Sequence, residues 1–85
     1  MTEEFTFDKW RIRAEMVEAL ELYTTQGRPL GGFLEAVVSN DFMSAVGRAD
    51  SDNLANLPAF AAYVYNEMPS NSHGSPRRYE EWISK

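Results

Sequence analysis

The sequence predicts an all-α fold, a single compact domain of about five short to medium helices. Three observations predict it. Apolar residues recur at three- and four-residue spacings through most of the chain, the period of a half-buried helix. Gly27, Pro29, Pro69 and Pro76 punctuate that pattern where helices would have to stop or start. No strand signal exceeds three residues, and there is no internal repeat or low-complexity segment. A chain of 85 residues is the size of one domain.

Residues 1–5 read as a loose N-terminal tail. Thr6 is the expected N-cap of a first helix from about Phe7 to Gln26, with Asp8 in its first turn favouring the helix dipole. Ile12, Met16, Ala19, Leu20 and Tyr23 fall on one face of that helix, with Val17 and Trp10 on its edge. Glu15, Glu18 and Glu21 lie largely on the other side. Gly27 supplies a left-handed cap, and Pro29 prevents continuation.

The stretch from Pro29 to Asp41 organises the rest. Gly31 and Gly32 are expected to let the chain turn sharply and another part of it come close. A helix from Phe33 to about Ser39 places Phe33, Leu34, Val37 and Val38 on one face. Continued, it would set Asp41 in the middle of that face, and the next apolar set, Phe42, Ala45, Val46 and Ala49, would be rotated by about 100°. A break at Asn40-Asp41 is therefore expected, with one of the two capping a third helix from about Phe42 to Ala49. Gly47 weakens that helix.

Asp50 to Asn53 is a run of cap and turn residues, with a short helical turn over about Asp52 to Asn56. A fourth helix starts between Asn56 and Pro58 and stops at Pro69. Its expected buried face is Leu57, Ala61, Val64 and Met68, with Tyr65 beside them and Phe60 and Tyr63 pointing elsewhere. After the loop Ser70 to Gly74, Ser75 and Pro76 are the expected N-cap and first residue of a last helix reaching about Ser84, with Tyr79, Trp82 and Ile83 on one face.

Several of these motifs carry a resemblance: Gly31-Gly32-Phe33-Leu34 with Ala36-Val37, Asn40-Asp41, Ala49-Asp50, Tyr65-Asn66-Glu67 before Pro69, and Gly74-Ser75-Pro76 with Trp82. Together they resemble a group of small uncharacterised proteins of tailed bacteriophages and prophages, over about Leu22 to Trp82. Ser72-His73 departs from the bulkier, apolar residues expected there. The resemblance implies a phage or prophage origin and a small accessory protein. It implies no activity and no catalytic residues.

Composition argues against several functions. The net charge is −5, and the eight basic residues are scattered, so direct nucleic-acid binding is not expected. There is no cysteine for a disulfide, a thiolate metal site or a thiol nucleophile. No apolar run approaches the ~20 residues of a membrane span, and the N-terminal residues lack the pattern of a signal peptide, so a cytoplasmic location is the expectation, which the resemblance makes that of a bacterial host. His73 is the lone histidine and has no partner in sequence for a metal site, and neither Ser70, Ser72 nor Ser75 sits in a nucleophile-elbow pattern. Asp50-x-Asp52-Asn53 opens like a calcium loop but has Ala55 and Ala61 where glycine and glutamate are needed. The expectation is a non-enzymatic protein without a cofactor or metal.

What remains is aromatic surface. Trp10, Phe60, Tyr63, Tyr65 and Trp82 are the candidate interface residues, for a host or phage protein or for a second copy of the chain. The alternative is an inhibitor that mimics DNA through Glu15, Glu18, Glu21 and Glu35. A contiguous surface of one sign would favour mimicry; an exposed apolar patch would favour protein binding.

Overall fold

The structure is a computed structural model and describes residues 2–84. Met1 of the expected tail and Lys85 lie outside the described residues. Residues 2–4 of that segment carry no secondary structure, and Phe5 is already in a strand. Phe5–Phe7 (β1) and Trp10–Ile12 (β2) form an antiparallel hairpin with Phe5 opposite Ile12, Thr6 opposite Arg11 and Phe7 opposite Trp10. This corrects the helix start at Phe7 capped by Thr6 and takes Phe5 out of the expected tail. Phe5, Phe7, Trp10 and Ile12 share one face of the hairpin, and Thr6 and Arg11 the other. Asp8 turns the chain at φ 56°, a left-handed conformation that aspartate tolerates better than most residues. Two strands of three residues cannot stand alone. They persist because the hairpin packs on the last long helix, where Ile12 is fully buried and Phe5 meets Tyr63 edge to face at 5.1 Å.

Among the described residues six helices follow, joined with the hairpin into a mostly helical domain: α1 Ala14–Gln26, α2 Gly32–Val38, α3 Phe42–Arg48, α4 Ser51–Ala55, α5 Leu57–Glu67 and α6 Pro76–Ile83, with a 3-10 turn at Ser70–Ser72. The Cα radius of gyration is 11.7 Å, against the ~12 Å expected of a compact chain this long. Gly27 ends α1 at φ 68°, and a Cβ there would lie 3.2 Å from the Trp82 carbonyl oxygen. Both its conformation and its surroundings call for glycine.

Gly31 and Gly32 behave differently from expectation. Gly31 is extended at φ −68°, with open space where a Cβ would stand. Gly32 starts α2, and its nearest neighbour is the movable end of the Arg48 side chain. Neither residue is a point of close backbone approach.

The break after α2 is built by Asn40 and Asp41 together. Asn40 is left-handed at φ 60°; its N–H donates to Val37 O, and the Asp41 N–H donates to Ala36 O at 2.9 Å. This is a Schellman closure with asparagine in the place glycine usually takes. The Asp41 carboxylate then accepts from the Ser44 N–H and caps α3. Ser75 caps α6 in the same way, accepting from the Arg78 N–H, with Pro76 as first helical residue.

Two polar clasps hold the ends of the chain to the middle. Arg13 Nη2 donates to Asp50 Oδ2 and Asn53 Oδ1, and its Nε lies 3.2 Å from Asp52 Oδ2 without the alignment of a hydrogen bond. Arg11 reaches Asp52 Oδ1, and its N–H donates to Asn56 Oδ1 at 2.8 Å. These contacts tie the hairpin to α4. At the other end Trp82 Nε1 donates to the Tyr23 carbonyl, the Tyr23 hydroxyl donates to Ser72 O at 2.6 Å, and Tyr79 Oη accepts from the Leu30 N–H. Burial, with a smaller contribution from Tyr79, pushes the Tyr23 phenol up to about 12.

Candidate functional site

The phase slip at Asn40-Asp41 decides what is left uncovered. α2 buries Phe33, Leu34, Ala36 and Val38, whereas α3, turned away, buries only Ala45. Phe42 and Met43 are therefore 68% and 79% exposed, and Val46 is partly exposed. α3 stands as an apolar shelf on the side of the domain.

α5 supplies the facing wall, and here the expected orientation is reversed. Its buried residues are Ala59, Phe60, Ala62 and Tyr63, not Leu57, Ala61 and Val64. Leu57 and Val64 are half-buried and Ala61 is exposed; of the expected face only Met68 is buried. A helix apolar nearly all round can seat either side, and the side with the larger rings wins because it removes more apolar area from water. Phe60 meets Phe33 edge to face at 5.0 Å, and Tyr63 is covered by Phe5 of the hairpin.

Between the two helices lies an open groove of about 410 Å³. Ala36, Val37 and the ring of Phe60 line it from below, Phe42 and Ala45 from one side, Leu57, Ala61, Val64 and Tyr65 from the other. Among the described residues its polar side chains are Asn40, Asp41, His73 and the hydroxyl-bearing Tyr65. The Asp41 carboxylate is already used in capping. Burial, and behind it the Arg78 guanidinium, holds His73 below its ordinary value of 6.5.

The five expected interface aromatics therefore divide. Tyr65, 83% exposed, stands at the groove; Phe60 is 2% exposed and contributes only its floor; Tyr63 belongs to the core. This corrects the placing of Phe60 and Tyr63 outside the core. Trp82 is docked on Tyr23 and Trp10 stacks on Phe7 at 6.2 Å, beneath Lys9. Phe42 and Met43 are the surface residues that the sequence did not single out. The available signal was α3 itself: a seven-residue helix with apolar side chains on more than one side and no long neighbour to cover them.

The other candidate chemistries resolve into structure. The Ser72 hydroxyl donates to Pro69 O and that of Ser75 caps α6. Asp50 caps α4, and the Asn53 N–H, ahead of the Arg13 charge, lowers its carboxyl from the usual value. Among the described residues no group of three His, Cys, Asp or Glu is placed to hold a metal ion, and no helix is long and apolar enough to cross a membrane. Compared with known protein families, with curated proteins and with solved structures, the chain shows no significant match.

The His73 environment gives a prediction about pH. A histidine whose folded value lies below 6.5 is held neutral by the fold, so below about pH 6.5 the unfolded chain takes up a proton first. Stability should fall as pH drops from about 6.5 towards the folded value and be flat just above that window. His73→Gln should remove this part of the slope in urea midpoints measured from pH 7.5 to about pH 5. Identical slopes for the two proteins would show that the ring is solvated.

Proposed function

We propose that this is a non-enzymatic accessory protein, of the phage and prophage kind its motifs resemble, that acts by protein–protein association through the α3–α5 face. The observation that carries this reading is the apolar groove flanked by Phe42, Met43 and Tyr65, each more than two-thirds exposed. Large apolar side chains grouped in water beside a preformed groove are what a binding surface requires.

DNA mimicry is the second reading. Glu15, Glu18 and Glu21 are exposed on α1, and Arg11 and Arg13 turn to Asp52 and Asp50 rather than to them. The exposed apolar residues beside the α3–α5 groove are the observation that favours protein association.

Affinity capture from bacterial lysate with three baits tests both. A bound protein should be lost with Met43→Glu and retained when Glu15, Glu18 and Glu21 are changed to lysine. The opposite pattern would support mimicry and overturn the groove reading.

A further inference from the structure

We infer that the occupant of the groove is a second copy of this chain, related to the first by a two-fold axis. The inference rests on the reading of this face as an interaction surface and names its partner. Its basis is that a hollow and a ridge lie side by side on the same helix. Phe42 and Ala45 of α3 form one wall of the groove, while Met43 and Val46 project from the outer crest of α3. Gly47 on that crest has open space at its Cβ position, so another backbone can come close.

A foreign segment lying in the groove would cover Phe42 and Tyr65 but leave the crest in water. A copy placed by a two-fold axis inserts its crest into the groove and receives the other crest in return, so that one isologous contact covers both features. The area is sufficient. Phe42, Met43, Val46 and Tyr65 at their observed exposures offer on the order of 500 Å² per copy, by the usual area of large side chains. Two copies bury about 1,000 Å², the lower bound for a specific interface, before Leu57, Ala61 and Val64 of the groove are counted. Charge does not oppose the contact. Among the described residues Asp41 is the one acidic side chain lining the groove, and Glu15, Glu18 and Glu21 are on α1. The net charge of −5 is thus not concentrated where the face must meet itself.

Sedimentation velocity of the full chain, from low to high micromolar concentration, tests this. The mass should rise from 9.7 kDa to twice that value, and Met43→Glu should remain at 9.7 kDa with an unchanged helical circular-dichroism signal. If Met43→Glu fails to fold, Tyr65→Lys is the second variant and should likewise stay monomeric. A wild type that remains at 9.7 kDa at every concentration, or a folded variant that still dimerises, overturns the proposal. A monomeric wild type that still captures another protein, with Met43→Glu losing it, overturns the second copy alone and leaves the groove as a site for a foreign partner. A monomer with no capture sensitive to Met43 overturns both.

Discussion

Phe60→Ala is expected to lower stability by about 3–5 kcal/mol, the cost of emptying a buried phenylalanine site. Phe60 is 2% exposed, sits edge to face on Phe33, and closes the underside of the groove. Removing it opens a void beneath α2 and α5 together, which neither helix can fill without moving the other. A domain of this size has roughly 5–15 kcal/mol in all, so the variant can be unfolded at ambient temperature. Phe60→Leu, nearer in volume, should then report a smaller loss of about 1–2 kcal/mol. The comparison residue is Tyr65, on the same helix and 83% exposed, where alanine should change stability by no more than about 0.5 kcal/mol. Urea midpoints at constant m-value measure both. Equal losses at positions 60 and 65 would mean that α5 does not present the face described.

Phe5→Ala should cost about 2–3 kcal/mol, less than a fully buried ring because Phe5 is only half covered. A residue in a loose tail would cost nothing, so this substitution separates a hairpin from a tail. Phe5 stands opposite Ile12 and edge-on to Tyr63, and it lies over a part of α5 that would otherwise meet water. A double-mutant cycle with Tyr63→Leu should give a coupling of about 0.5–1.5 kcal/mol, the usual worth of an aromatic pair beyond its area. Zero coupling, with Phe5→Ala neutral, would detach the hairpin from the domain.

Local chemistry was legible in the sequence wherever it decided the structure alone. Gly27, the Asn40-Asp41 break, and the Ser75-Pro76 restart each work through backbone groups within a few residues, and each stands where the residue types require. The hairpin was not legible, because Thr6 and Asp8 are as good at a helix start as at a turn. What selects the turn is packing on α5, some fifty residues away in the sequence. The glycine pair misled for a related reason: glycine at Gly31 and Gly32 permits close approach, but nothing in the fold uses it.

The candidate site was half legible. Tyr65 was named from its sequence, but the orientation of α5 was not fixed by periodicity, since apolar residues surround it. Phe60 and Tyr63 go inward only because α2 and the hairpin arrive to cover them. Once they do, the stripe of Leu57, Ala61 and Val64 is left as a groove wall. The same phase slip that was visible at Asn40-Asp41 is what lifts Phe42 and Met43 out of the core, so the site's second wall was implicit in a feature read only as a break.

The proposed association runs through the α3–α5 face. A photo-cross-linking amino acid at position 65, beside the groove, compared with one at position 80 on exposed α6, tests it most directly in bacterial cells. The account predicts a discrete protein adduct at position 65, whether to a second copy or to another protein, and none at position 80. Adducts at position 80 alone, or equal diffuse labelling at both, would contradict it.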